Sequence, residues 1–279
     1  MVAVKFGITL PYFDARKCAN LAREAEEAGW DGVFVGDAIW TIDPLIQLAA
    51  AAMTTSRIRL GTMVLAVPLR KPWSLASESL ALDLLSEGRL ILGMATGAVW
   101  MGWQAFLDVE KDTRVRAEML DETIDILTLM YRREQFDYDG KHYHLKLTEL
   151  DLMHYPPKPV QQPRIPMWIP GVYQRKKSMD RVLKCDGLLP AKMNHEKQFV
   201  DVTPGDLAEM KAYIDANRTL TTPFDYVIEG KTGGMSRDQV QETLCPWVEA
   251  GMTWWVESLW TVPEEELVAR LRQGPPELE

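Results

Sequence analysis

Short apolar runs alternate with longer stretches of helical periodicity from one end of this chain to the other, and this constrains the fold more than any other feature. Residues 6–10 read as a strand. Cys18, Leu21, Ala22 and Ala25 then recur at helical spacing, and Gly29 supplies a left-handed stop. Residues 32–37, 58–65 and 89–95 read as the next three strands, separated by helices that Pro44 and Pro72 open, proline being favoured in a first helical turn. A long helix is predicted over 113–131, with Leu120, Ile124, Leu127 and Tyr131 along one face. Strands at 167–170, 187–190, 225–229 and 253–257 follow, each with a helix behind it, at 175–184, 204–217, 238–250 and 264–272. The junction Glu27-Ala28-Gly29-Trp30-Asp31 recurs as Glu249-Ala250-Gly251-Met252-Thr253.

Strands that are apolar throughout are strands buried on both faces, as in parallel sheets. Eight strand–helix pairs close into an α/β structure of the (β/α)8 TIM-barrel type more readily than they extend an open sheet. A doubly wound sheet is the rival arrangement. The 279 residues suit one barrel, so residues 1–279 are read as a single domain. The alternation pauses once, between the fourth helix and the fifth strand. There residues 134–166 hold a hairpin turn, Tyr138-Asp139-Gly140-Lys141, and a proline-rich run from Pro156 to Pro166. A long insertion inside a compact domain is commonly a functional loop or lid.

The formal net charge of −9 argues against a nucleic-acid partner and against an anionic membrane surface. Cys18, Cys185 and Cys245 lack metal-ligand spacing and read as reduced thiols of a cytoplasmic protein. The sequence enters its first strand without a basic and then apolar leader, and no run approaches the roughly 20 apolar residues of a membrane span.

A packed barrel places its chemistry at the carboxyl ends of the strands. Those positions here are Asp37, residues 65–68, Thr96-Gly97, Pro170-Gly171, Pro190, Glu229 and Glu257. No metal-binding pair sits on the first strand. His142 and His144 lie in the inserted hairpin, where a solvated strand face accounts for them. Neither a P-loop nor a dinucleotide fingerprint occurs. Asp37 and Glu257 could serve as a hydrolytic carboxylate pair, or equally as a buried acceptor and an ion-pair partner. Thr96-Gly97 and Gly171, with Arg175-Lys176-Lys177 beyond, have the makings of an anion cradle, since glycine admits close backbone approach and the cations add donors. Trp40, Trp100, Trp103, Tyr173 and Trp260 gather near the expected mouth, either as a pocket for a flat ring or as packing beneath loops.

Several of these residues fall in runs that resemble a known family. Ile58-Arg59-Leu60-Gly61-Thr62, Pro68-Leu69-Arg70-Lys71-Pro72, residues 82–93 (Leu-Asp-Leu-Leu-Ser-Glu-Gly-Arg-Leu-Ile-Leu-Gly) and residues 157–169 are similar, in order, to the bacterial-luciferase-like monooxygenases. Asp186-Gly187 and Glu249-Ala250-Gly251 fit as well.

The resemblance implies a barrel that binds flavin mononucleotide (FMN) or the deazaflavin coenzyme F-420 and no metal. It implies transfer of a hydride or two electrons to or from a small organic substrate, with pairing of two copies as a further expectation. On this reading Asp37 lies near the ring. Met63, Val64, Leu65 and Ala66 form a bulge backing it, where the family often has a non-proline cis peptide. Thr96, Gly97, Pro170, Gly171 and Val172, with Arg175 and Lys176, hold the phosphate, and Trp40, Trp100 and Trp103 shape the substrate pocket. The chain departs from the family at Ala38, where many deazaflavin-dependent members carry histidine, and at Ala98, where some carry an acid. A barrel hydrolase using Asp37 and Glu257, and a family member that binds flavin without turnover, therefore stay open as alternatives.

Overall fold

A computed structural model describes residues 4–151, 153 and 155–278. In chain order the elements are β1 (Lys5–Leu10), α1 (Ala15–Glu27), β2 (Gly32–Val35), α2 (Pro44–Ala52), β3 (Arg59–Thr62), β4 (Leu65–Ala66), α3 (Pro72–Leu85), β5 (Leu90–Ala95) and α4 (Thr113–Tyr131). The inserted hairpin β6 (Asp137–Asp139) and β7 (His144–Lys146) follows. Then come β8 (Met167–Val172), α5 (Lys176–Val182), β9 (Gly187–Met193), β10 (Phe199–Val200), α6 (Pro204–Asn217), β11 (Asp225–Gly230), α7 (Arg237–Glu249), β12 (Trp254–Glu257) and α8 (Glu264–Arg272).

β1, β2, β3, β5, β8, β9, β11 and β12 pair in parallel with their neighbours, and β12 returns to β1, so the sheet closes into the expected eight-stranded barrel. The third predicted strand is divided. β3 pairs with β2, β4 pairs with β5, and a cis peptide bond joins Met63 to Val64 between them. The fifth and sixth strands run past their expected ends, to Val172 and Met193. The sixth then folds back on β10, an antiparallel pairing that the apolar pattern did not signal.

Strand and helix lengths follow from local chemistry. Asp14, Asp43 and Asp112 accept hydrogen bonds from the first free amides of α1, α2 and α4, and capping boxes open α6 and α7. Gly29 and Gly251 both take positive φ after a helix, which explains the recurring junction. Outward strand residues pack with the helices in one large cluster. Inside the barrel, Phe34, Trp168 and Trp254 meet with ring centroids 5.3 to 5.7 Å apart. Glycines face these rings: a Cβ on Gly61 would come within 2.4 Å of Phe34, and one on Gly187 within 2.2 Å of Trp168. Large rings opposite absent side chains fill the lumen at close-packed density and close its lower half, leaving the carboxyl end to carry a site.

Candidate active site at the carboxyl end of the barrel

The loop after β5 is organised from below by Arg116, in the first turns of α4. Its Nη1 donates to the carbonyls of Thr96 (2.6 Å) and Gly97 (2.9 Å), and Nη2 reaches Thr113. The guanidinium lies over the Trp103 ring. Gly97 takes φ +80°, and a Cβ there would meet Trp103 at 2.4 Å. Trp103 is 1% exposed. It is therefore packing beneath the loop, which corrects its assignment to the substrate pocket. With the carbonyls of Thr96 and Gly97 turned to Arg116, the amides of Gly97 and Ala98 donate to no protein group among the described residues. They are the kind of free donors that bind an anion.

β8 is the neighbour of β5 in parallel register, Gly93 opposite Trp168, so its end stands beside the Thr96-Gly97 loop. The two expected halves of the cradle are thus adjacent. Their residues divide by strand alternation. Trp168 faces the lumen, so Pro170 and Val172 share its side, while Gly171 faces α5. A Cβ on Gly171 would strike Leu188 and Val182, so helix packing alone requires glycine at this position. The Val172 amide donates to Ser178 Oγ (3.0 Å), and Lys176 is engaged by Asp180. The Arg175 guanidinium has no hydrogen-bond or ion-pair partner among the described residues. Tyr173 turns outward and donates to Glu209.

Asp37 is 3% exposed in its side chain and fully used. It accepts from the Ala66 amide (2.9 Å) and from both terminal nitrogens of Arg70, which also reaches Asp43 (3.1 Å). Burial pushes its carboxyl up, while Arg70 and the Ala66 amide pull the other way. Asp37 therefore pins the segment of β4 that follows the Met63–Val64 bulge. Through Arg70 it also ties both ends of the loop bearing Trp40. The bulge itself rests on β5: Thr62 Oγ1 donates to the Gly93 carbonyl (2.8 Å), and a Cβ on Gly93 would lie 2.1 Å from the Thr62 carbonyl oxygen. Trp40 and Trp100 are 86% and 76% exposed on their loops.

Glu257 ends β12 but points away from the lumen, as Trp255 does. It is 0% exposed and accepts from the Thr232 amide and hydroxyl, Trp255 Nε1 (3.2 Å) and Arg270 (3.2 Å). With Asp37 pinned to Arg70 and Glu257 turned toward α8, the hydrolytic pair does not exist. His142 contacts Glu118 on α4, and His144 contacts Asp139. No cluster of metal-binding side chains occurs among the described residues. A cavity of about 780 Å³ opens at the opposite end of the barrel, beside Trp30, Arg59, Gln161 and Asp225. That end is the scaffold side of such folds, and Arg164–Asp186 there is already paired.

Arg116 escaped the sequence reading, and Glu229 entered it only as a strand end, without a role. Arg116 stands four residues before Leu120, on the apolar stripe of its helix, where an arginine needs a buried partner. Glu229 stands two residues after Val227, on the inward side of β11.

Comparison with known proteins bears on the fold and the family. The family model for luciferase-like monooxygenases matches residues 4–221. A putative coenzyme F-420-dependent oxidoreductase of Mycobacterium tuberculosis is 37% identical over 151 residues, covering 52% of this chain and 42% of that protein. The oxygenase component of a flavin-dependent trigonelline monooxygenase of Acinetobacter baylyi is 27% identical over 155 residues, 54% of this chain and 41% of that protein. The chain thus matches less than half the length of these curated relatives. Among solved structures, the coenzyme F-420-dependent tetrahydromethanopterin reductase of Methanopyrus kandleri superposes with a TM-score of 0.73 at 16% identity, covering 98% of each chain. The oxygenating constituent of 3,6-diketocamphane monooxygenase from Pseudomonas putida, in complex with FMN, superposes with 0.63 at 19% identity, covering 87% of this chain and 71% of that one. These likenesses establish the barrel, and the match over residues 4–221 establishes the kinship: the chain belongs to the luciferase-like monooxygenase family.

Proposed function

We propose that this chain is a flavin- or deazaflavin-dependent oxidoreductase that moves a hydride or an electron pair between a bound FMN or coenzyme F-420 and a small organic substrate. The observation that carries the reading is the loop at Thr96-Gly97, its carbonyls held down by Arg116 and its amides free, beside the unpartnered Arg175 at the end of β8. A phosphate group shared by both coenzymes suits that combination of fixed amides and one unpaired cation. Met63, Val64, Leu65 and Ala66, with Pro170 and Val172, would hold the ring. The aromatic plug of Phe34, Trp168 and Trp254 fills the lumen below and would bar a ring from it.

The bound ring would supply the two-electron chemistry. The chain supplies position and dryness. Arg116 orients the grip, Asp37 fixes the bulge under the ring, and Trp40 and Trp100 on their pinned loops cover the substrate and exclude water. Lys176 is neutralised by Asp180, which leaves Arg175 as the cation of the grip. FMN would make oxygen activation available and the enzyme a monooxygenase; coenzyme F-420, which reacts poorly with oxygen, would make it a reductase or dehydrogenase. No helix of the described residues is long and apolar enough to cross a membrane. A cytoplasmic setting fits the free thiols. A homodimer fits the exposed Ile46, Met53, Trp73 and Leu85 on and beside α2 and α3. Equilibrium titration of the purified protein with each coenzyme, followed by ring fluorescence, tests the proposal. Saturable micromolar or tighter binding of one is expected, and absence of binding to both refutes it.

A further inference from the structure

Alanine at positions 38 and 98 leaves the barrel mouth without the acid–base groups that the family resemblance places there, and Asp37 is spent on Arg70. Glu229 is a different case. Val227 lies in the lumen cluster and Ile228 among the helices, so the two-residue period of β11 turns Glu229 inward, at the open rim. Its Oε2 accepts from Trp260 Nε1 (3.0 Å) and Ser258 Oγ (3.2 Å). Its Oε1 accepts from nothing, and no cation pairs with it, among the described residues.

The surroundings are aromatic. A Cβ on Gly36, at the end of β2, would lie 3.1 Å from the Trp260 ring and 3.4 Å from that of Tyr12. Glu229, Trp260 and Tyr12 therefore form one wall of the mouth, spanning β11, β12, β1 and β2. In the ring of eight strands, β12 and β1 stand across the lumen from β5 and β8. The wall faces the Thr96–Arg175 grip from the far side, where the reacting part of a ring anchored there would lie. Glu229 itself is exposed at the rim, and its open carboxylate oxygen, at the edge of an aromatic wall and held through its other oxygen, is a fixed proton acceptor.

We propose that Glu229 takes the proton from the hydroxyl of an alcohol substrate, an assignment that rests on the coenzyme reading above. The C–H bond of the carbinol carbon breaks, and its hydrogen leaves with both electrons for the oxidised flavin or deazaflavin ring. The O–H proton passes to Glu229 Oε1, the carbonyl forms, and Glu229 releases the proton to water. The reverse sequence reduces a ketone or aldehyde. Trp260 and Ser258 hold the carboxylate in place without satisfying its reactive oxygen. The apolar wall selects alcohols with a hydrocarbon body.

The test uses the intact chain with ¹⁵N-labelled tryptophan, the Trp260 indole resonance being assigned from Trp260→Phe. Cyclohexanol and methoxycyclohexane, which differ in the hydroxyl proton, are titrated into wild type and Glu229→Gln, with and without coenzyme. Cyclohexanol is expected to bind wild type more tightly than its methyl ether and to lose about tenfold in affinity in Glu229→Gln, the size of one charge-assisted hydrogen bond reduced to a neutral one. The ether should bind both proteins alike, and coenzyme affinity should change less than twofold. Equal binding of alcohol and ether, or undiminished alcohol binding by a folded Glu229→Gln, overturns the assignment. Failure of wild type to bind either coenzyme, with the alcohol preference intact, sinks the redox reading and leaves Glu229 as an alcohol-binding group.

Discussion

Replacing Arg116 by methionine separates the grip from the scaffold. Methionine keeps much of the side chain's length and its contact with Trp103, but removes the donor that holds the carbonyls of Thr96 and Gly97. A hydrogen bond from a charged donor is worth about 1.5–3 kcal/mol net. Here one nitrogen serves both carbonyls, and the half-buried loop lets water reach them once they are released, so a loss of about 2 kcal/mol is expected. In a protein of this size that lowers Tm by about 4–8 °C. The released loop samples other peptide orientations, and a coenzyme must then reorder it at the expense of its own binding energy. If 1.4–2 kcal/mol of the loss falls on binding, affinity drops about 10- to 30-fold. Arg116→Lys, which keeps the charge but not the fork, should fall between. Fluorescence titration of each coenzyme well below Tm, paired with thermal unfolding, measures both effects. A folded Arg116→Met that melts several degrees lower yet binds coenzyme within twofold of wild type would falsify the claim that these amides hold the phosphate.

Three further outcomes follow from the same geometry. Glu257→Ala leaves Arg270 charged and buried, and should cost about 3–5 kcal/mol in urea unfolding; a variant as stable as wild type would reopen a catalytic role for Glu257. Burial pushes the thiols of Cys18 and Cys185 up to about 12, so a thiol reagent should modify only the half-buried Cys245 in native protein and all three cysteines in denaturant. Rapid native labelling of a second thiol would contradict the packing. Hydrogen bonds from Lys141 and His142 hold the Glu118 carboxyl at about 2, below its ordinary 4.5. Its ionised form thus favours the docked hairpin above the ordinary value, and that contribution fades as pH falls toward the depressed one. Amide exchange across residues 137–146 should rise over that acid window, and at neutral pH in Glu118→Gln; flat exchange in both would exclude this tie.

The barrel was legible because its determinants are local. Caps, the glycine after α1 and α7, and apolar periodicity placed α4, α6 and α8 at their observed ends. Legibility failed where partners are distant in sequence. β10 is too short to show a period and exists by pairing with β9. Gly171 and Gly97 read alike as glycines after strands, yet one makes room for α5 and the other lies over Trp103, a difference set by strand alternation and by a helix elsewhere. Trp103 was indistinguishable from Trp40 and Trp100 until the loop had a path.

The motifs that revealed the family are mostly partners of one another, not of a ligand. Arg89 donates to the carbonyls of Ala52, Thr55 and Ile58, closing the turn from α2 into β3. Asp83 accepts from the Val160 and Gln161 amides, so the runs at 82–93 and 157–169 are two halves of one clasp. Arg164 binds Asp186 in the same way. All three contacts lie toward the amino-terminal end of the strands, where loss of a partner would strand a buried charge or carbonyl. On the reading proposed above, the residues at the other end answer to a coenzyme and a substrate. Arg116 and Glu229 fall outside every run that carried the resemblance. A sequence can therefore declare this barrel through its clasps while the chemistry proposed for it rests on an arginine in a helix stripe and a glutamate at a strand end.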